Sequence, residues 1–370
     1  MKALFVATVQ SHIAQFHLKA IELLKQNGYE VHVAARDNLA EKNGLQLKNV
    51  DEVFDIPFLR SPFSPKNLVA YKTLRKVIRE GHYDLIHCNT PVGGILTRIA
   101  ARKESGKVLY TAHGFHFYKG APLKNWILYY PIEKIMAHYT DGLITITQED
   151  YELARKKFKC PVYRIHGVGI NTEKYQEVPL RDYDKVFSEQ SFKGNITILC
   201  TGELNKNKNQ KTLIMSIQTI IQEVSNIRLL LAGNGPEKQN LESLINDLNL
   251  SEYVKLIGYR TDLQNYVHMC DIVVSASFRE GLPLNIVEAM FCSKPVVVSN
   301  NRGHRELVTD SINGFIVDPR NSNEFAEKII YLCRNSKKRL EMGKKGHQKS
   351  IPYWDTNVLN ELKDIYIGDM

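Results

Sequence analysis

What most restricts the fold of this chain is a repeated alternation. Short apolar runs with no polar face are each followed by a segment of helical period. In the first half the runs are Ala3–Val9, Tyr29–Ala35, Asp84–Cys88, Lys107–Ala112, Gly142–Thr147 and Val162–Ile165. Helical segments lie between them: Ile13–Gln26, closed by Asn27-Gly28, then Lys66–Glu80, Gly93–Arg102, Trp126–His138 and Glu149–Phe158. A strand apolar on both sides fits a parallel sheet covered by helices, and not a sheet with one wet face. A polar stretch, residues 171–194 with Pro179, reads as a linker. The alternation then restarts with strands at Ile196–Thr201, Arg228–Ala232, Val254–Gly258, Ile272–Ser275 and Pro295–Ser299. The pattern predicts an α/β protein of two doubly wound, Rossmann-like domains, residues 1–175 and 176–350, with a last helical segment over 351–370. In such sheets ligands bind outside the carboxyl ends of the strands, and here also in a cleft between domains.

Charge is distributed unevenly. Residues 1–180 carry 25 Lys and Arg against 17 Asp and Glu, net +8, whereas residues 181–370 carry 24 against 23, net +1. A basic half beside a neutral one invites a polyanionic partner. No helix-turn-helix, zinc or RNA-binding signature is present, so an anionic membrane surface is expected rather than nucleic acid. The six cysteines are scattered without a C-x-x-C pair, which points to reduced thiols and the cytoplasm. Met1–Thr8 is too short an apolar run for a signal peptide and reads as the first strand. No stretch reaches the ~18 apolar residues that a bilayer span needs.

The densest motif is Phe278-Arg279-Glu280-Gly281-Leu282-Pro283-Leu284-Asn285-Ile286-Val287-Glu288. Gly281 permits a tight turn, Pro283 suits a first helical position, and a helix is expected over Leu284–Cys292. The five residues from Pro283 to Glu288 rise roughly 7.5 Å. Two carboxylates flanking a helix N-terminus suit a ligand with hydroxyls at both ends and a diphosphate between them, as in a nucleotide-sugar. A loop glutamate beside a solvated helix glutamate explains the same spacing equally well. Three more loops follow strands in this half. Gly202-Glu203-Leu204-Asn205-Lys206-Asn207-Lys208 offers a cation near a helix start, without a Walker A pattern. Gly233-Asn234-Gly235 and Tyr259-Arg260 are weaker. A ligand rim accounts for the set better than coincidence. In the first half, Ser11-His12 follow the first strand, and His113-Gly114-Phe115-His116 follow a later one. Residues beside His113, with Ser11, His12 and His116 on that side, would line a sugar or acceptor pocket or simply pack. No zinc-type ligand set and no metal-type carboxylate pair is read from the sequence, so no metal and no other cofactor is expected.

Together these motifs resemble retaining glycosyltransferases of family 4, with the GT-B fold, over essentially the whole chain. The resemblance rests on Glu280-x7-Glu288, Lys208 in Gly-x-Leu-x-x-x-Lys, the Gly233 loop and Thr111-Ala112-His113-Gly114, all in the expected order. Ser11-His12-Ile13 and His87-Cys88-Asn89-Thr90-Pro91 look more specifically like bacterial exopolysaccharide and capsule enzymes. The resemblance implies two domains facing a deep cleft, with the C-terminal helix crossing back to the first. Glu288 would hold ribose and Glu280 the donor hexose, while amides at Gly281 and Leu282 meet the sugar or β-phosphate. Lys208 would neutralise the departing diphosphate, helped by the Gly202 and Gly233 loops. Tyr259 and Arg260 would flank a uracil base, and Glu306 would support the Glu280 loop. His113 would approach the reacting carbon and the acceptor hydroxyl as the domains close and exclude water. The implied reaction is metal-independent, retaining transfer of a hexose or N-acetylhexosamine from a UDP-sugar. The acceptor would be a polyprenyl-diphosphate-linked sugar at the inner membrane face. One departure stands out: the family's phosphate-loop arginine is Glu203 here. The preferred reading turns Glu203 away and gives its place to Lys206 or Arg279. A shifted donor or a weak catalyst are the other two. A sugar-nucleotide 2-epimerase and a non-catalytic nucleotide-sugar-binding subunit are the competing functions.

Overall fold

The computed structural model describes residues 1–41, 45–59, 61, 64–176 and 195–368. The chain divides into two compact units, Met1–Gly169 with Asp355–Met370, and Ile170–Trp354.

The first unit holds a seven-stranded sheet. Its strands are β1 (Lys2–Val9), β2 (Glu30–Arg36), β3 (Glu52–Asp55), β4 (Leu85–Asn89), β5 (Lys107–Ala112), β6 (Gly142–Thr145) and β7 (Val162–Arg164). Their order is β3-β2-β1-β4-β5-β6-β7, and all pairs are parallel. Parallel neighbours need a crossover, so helices cover both faces. This is why β1 is buried on both sides from Ala3 to Thr8. Leu4 and Phe5 are fully enclosed, and burial of each such side chain contributes about 1.5–3 kcal/mol. The helix expected over Ile13–Gln26 is two helices, Gln10–Phe16 and Leu18–Gln26, parted at His17 with φ −124° and ψ 0°. The edge strand β3, mostly exposed and four residues long, escaped the apolar pattern.

Helix Asp355–Ile367 belongs to this unit and packs on Leu18–Gln26. It is fastened by the Lys19–Asp355 ion pair, by Lys107 Nζ donating to the Ile365 carbonyl at 2.7 Å, and by a Tyr366 hydroxyl–His87 Nδ1 bond of 2.8 Å.

The second unit holds a six-stranded parallel sheet. Its strands are β8 (Ile196–Thr201), β9 (Ile227–Ala232), β10 (Val254–Gly258), β11 (Ile272–Ser275), β12 (Val296–Ser299) and β13 (Gly314–Val317). The order is β10-β9-β8-β11-β12-β13. The stretch read as a linker begins differently: Thr172–Gln176 is helical and Tyr175 is buried in this unit's core. The remainder of that stretch, 177–194, lies outside the described residues. Helix Leu284–Phe291 is one residue shorter than expected, and Pro283 precedes it as the N-cap, with φ −79° and ψ 99°. In each sheet the order reverses once, between β1 and β4 and between β8 and β11. Such reversal points open a crevice at the carboxyl ends of the strands.

Candidate active site

In the second unit, two loops leave the β8–β11 reversal and are stitched to each other. The Phe278 amide donates to the Asn207 carbonyl at 2.8 Å, and Asn207 Nδ2 donates to the Arg279 carbonyl at 3.0 Å. Asn209 Nδ2 donates to the Ala276 carbonyl at 3.1 Å. This stitching brings Lys208 Nζ to 2.7 Å from Glu280 Oε1, at a half-buried position. Asn285 Nδ2 ties the start of helix Leu284–Phe291 to the Thr201 carbonyl at 3.1 Å. The cation, the carboxylate and the helix start therefore share one rim.

Two glycines set the closeness of these loops. At Gly233, φ is +149° and a Cβ would stand 1.9 Å from the Gly202 carbonyl oxygen. At Gly303, a Cβ would stand 2.3 Å from the Gly281 carbonyl oxygen and 2.9 Å from the Glu280 Cβ. Helix Arg302–Leu307 thus closes directly onto the Glu280–Gly281 turn. Beneath lies a buried polar ladder. The Ser277 carbonyl accepts from Ser299 Oγ at 2.5 Å and from Asn301 Nδ2 at 2.9 Å, and His304 Nδ1 donates to the Ser299 carbonyl at 2.8 Å. Burial pushes the His304 imidazole down to about 4, so the ring is neutral. Its Nε2 is enclosed without a hydrogen-bond partner.

Glu288 lies one helical turn and more beyond the turn, bonded by the Tyr175 hydroxyl. Burial raises its carboxyl to about 7, against the opposing pull of Tyr175 and of the Lys174 charge. Arg260 forks onto Asp262 at 2.8 and 2.7 Å and stacks over Tyr266, while Tyr259 is exposed. Glu203 is exposed and bonded by Asn205 Nδ2 at 2.9 Å, and Lys206 and Arg279 are also exposed. Glu306 is half-buried within the field of the Lys349 ammonium.

In the first unit, the β1–β4 reversal gathers imidazoles. His12 Nε2 lies 3.3 Å from His113 Nε2 and 3.4 Å from His17 Nε2, and His113 Nε2 lies 3.1 Å from Asn89 Oδ1. Burial pushes His12 down to about 4 and holds His17 and His113 well below the usual imidazole range. All three are neutral near pH 7. Their ring nitrogens lie within 4.8 Å of one another, the one group among the described residues that could hold a metal ion. Thr90 holds φ +65°, a conformation rare outside glycine, and its hydroxyl meets the Thr8 amide at 3.0 Å and the Thr8 hydroxyl at 2.7 Å. Backbone strain of this kind collects at functional sites. A cavity of about 310 Å³ opens beside His12 and His113, walled by Val92, Ile95, Phe117 and Leu128. His116 lines it and stacks on Tyr129 at 4.6 Å. Below it Arg98 Nη2 donates to Glu133 Oε2 at 2.9 Å, with the guanidinium 3.9 Å over the Tyr110 ring.

Residues 2–147 match the family description "Glycosyl transferase 4-like", and residues 183–349 match "Glycosyl transferases group 1". The EpsD protein of Bacillus subtilis, a glycosyltransferase by name, is 41% identical over 100% of this chain and 97% of its own length. This chain is a glycosyltransferase. A second relative of the transferase is the Escherichia coli UDP-Gal:alpha-D-GlcNAc-diphosphoundecaprenol alpha-1,3-galactosyltransferase, 24% identical over 96% of this chain and 94% of the relative. Anabaena HepE, solved in complex with UDP-glucose, superposes with a TM-score of 0.78 at 21% identity, covering 99% of both chains. The fold of the transferase is of the GT-B type.

Of the residues singled out by sequence, the second unit joins Lys208, Glu280, Gly281, Gly202 and Gly233 at one rim. The first joins His12, His113 and His116 around one cavity. Ser11 stands apart: it is buried, its amide and hydroxyl both bonded to Asn38. Residues the motifs did not single out are Tyr175 on Glu288, Asn207 and Asn209 between the loops, His304 under Glu280, and His17. Of these, only Asn207 lies in a loop that the sequence marks out, Gly202–Lys208.

Proposed function

We propose that this glycosyltransferase moves a hexose or N-acetylhexosamine from a UDP-sugar to a polyprenyl-diphosphate-linked sugar. The setting is surface-polysaccharide assembly at the inner face of the membrane. The observation that carries the reading is the Lys208–Glu280 pair, 2.7 Å apart at the β8–β11 reversal and beside a helix start. A cation and N-terminal amides there suit a diphosphate, and the adjacent carboxylate suits sugar hydroxyls. The donor and acceptor classes named for the Escherichia coli relative, and the UDP-glucose bound by HepE, support this chemistry.

In this reading Glu288 accepts the ribose hydroxyls once Tyr175 yields it, and Glu280 accepts hexose hydroxyls. Gly281 and Leu282 bring their amides to the sugar or β-phosphate. Lys208 stabilises charge as it grows on the departing diphosphate, which is where preorganised charge lowers a barrier most. The acceptor oxygen attacks from the leaving-group side and its proton passes to the phosphate oxygen, so configuration is retained and no metal is required. His113, neutral because it is buried, orients the acceptor hydroxyl. Arg260, bound to Asp262, offers its stacked plane to the base beside Tyr259. The exposed carboxylate of Glu203, bonded to Asn205, leaves the phosphates to Lys208, with Lys206 and Arg279 as supplementary charge.

The test is a panel of UDP-sugars offered with a polyprenyl-diphosphate-sugar acceptor, with and without chelator. Mass measurement of the lipid and the anomeric NMR coupling are the readouts. A mass gain of one hexose or one N-acetylhexosamine with an α-linkage, undiminished by chelator, is expected. Epimerised donor without acceptor, or loss of transfer on chelation, overturns the reading.

A further inference from the structure

Helix Leu123–Met136 is apolar on two opposite sides. Its inner side sends Trp126, Tyr129 and Tyr130 into the cluster around Phe117 and Phe158. Its outer side leaves Leu123 73%, Ile127 69%, Ile135 56% and Leu128 38% exposed. Leu123, Ile127 and Ile135 recur at multiples of four residues, with Pro131 between them, so they share a stripe. A helix apolar all round is ordinarily covered all round, and a contiguous exposed apolar patch marks an interaction site.

The charges beside the stripe have one sign. Between Phe115 and Thr140 the sequence holds Lys119, Lys124, Lys134 and a single carboxylate, Glu133. The three lysines are exposed, whereas Glu133 is buried against Arg98. Glu149, whose carboxylate accepts from the Lys119 amide at 3.1 Å, is the acidic group at the N-terminal edge. An apolar stripe rimmed by lysines fits a helix lying in the headgroup–acyl boundary. No helix among the described residues is long and apolar enough to cross a membrane. Leu128, Tyr129 and Ile132 of the same helix also wall the cavity that reaches His12 and His113.

We propose that helix Leu123–Met136 seats in the surface of an anionic bilayer, and that the cavity behind it admits the isoprenoid units next to the acceptor's diphosphate. The seat stands on the surface alone, while the cavity's occupant rests on the proposed acceptor class. A protein partner would have to match an apolar centre with an acidic rim and also fill the cavity; anionic lipid supplies all three.

The experiment compares the full-length protein with the L123E/I127E double variant, whose changes touch neither cavity nor candidate catalytic residues. Co-sedimentation with phosphatidylglycerol/phosphatidylcholine vesicles is read at low salt and at about 0.5 M salt, where charge attraction alone is screened. Wild type is expected to stay partly bound at high salt, and the variant to lose at least about ten-fold in partitioning with unchanged circular dichroism. Equal partitioning of the two proteins overturns the seat. So does a wild-type dimer in sedimentation velocity that the variant abolishes, which would make the stripe a self-contact. For the cavity, Ile95→Trp should lower transfer to an undecaprenyl-linked acceptor and spare a water-soluble short-chain analogue. Equal loss on both overturns that role. Absence of transfer by wild type to either acceptor would instead sink the functional reading and leave the vesicle result to decide the seat.

Discussion

The two strand rims use polar atoms in opposite ways. The second unit's rim fixes its loops through asparagine amides and backbone carbonyls and leaves a charged pair, Lys208 and Glu280, facing its crevice. The first unit's rim presents neutral imidazoles beside an apolar cavity, and the Arg98–Glu133 ion pair is buried beneath. One rim is suited to recognising an anion. In the proposed reaction the other would orient the acceptor hydroxyl without a competing charge. Charge at one rim should therefore govern chemistry, and charge at the other should govern stability.

The largest expected departure lies in the first unit. Glu133→Ala strands a guanidinium that is 1% exposed, and breaking such a pair costs about 3–5 kcal/mol. Urea unfolding measures it; a loss below about 1 kcal/mol would mean that the Tyr110 face and the Gly94 carbonyl carry Arg98 unaided. In the second unit, Lys208→Ala is expected to slow transfer by about 10²–10³-fold, with much less effect on the unfolding midpoint. Turnover near wild type would remove the charge contrast between the rims.

The smallest effect is a pH dependence. Burial raises Glu288 to about 7, so the group is protonated in the folded protein below that pH, while in the unfolded chain it ionises near 4.5. Its contribution to stability is present below pH 4.5 and is lost as pH rises toward 7. Nucleotide binding runs the other way, because only the carboxylate accepts two ribose hydroxyls. UDP affinity should rise about ten-fold from pH 6 to pH 8 and be flat in Glu288→Gln. Calorimetric titration at the two pH values reads this directly, and an unchanged wild-type affinity counts against Glu288 as the ribose carboxylate.

The same contrast explains what the sequence made legible. Lys208 and Glu280 announce themselves because each sits in a loop of marked composition immediately after an apolar strand. Parallel topology sends all such loops to one rim. The imidazole cluster has no comparable local signal: His12, His17 and His113 come from a short helix, the break that ends it and a loop 96 residues further on. Their grouping depends on β1 lying beside β4 and on the helix break at His17. Spacing along a sequence does not register three nitrogens that folding brings together. Tyr175 was hidden in a polar stretch whose composition reads as a connection, and only its burial against the second sheet reveals its partner. The short strand β3 failed the apolar criterion because an edge strand has fewer neighbours to satisfy.

The return of helix Asp355–Ile367 to the first unit has a consequence for synthesis. The second unit is an insertion within the first, since the chain leaves at Gly169 and re-enters at Asp355. The intervening 185 residues occupy a ribosome for on the order of 10–40 s. Throughout that interval the nascent first unit lacks the partners of Lys19, Lys107 and His87 and exposes the face that Leu362 and Ile365 will cover. The inserted unit, contiguous in sequence, can reach its final fold first, and the earlier-made half waits for helix Asp355–Ile367 to complete its core.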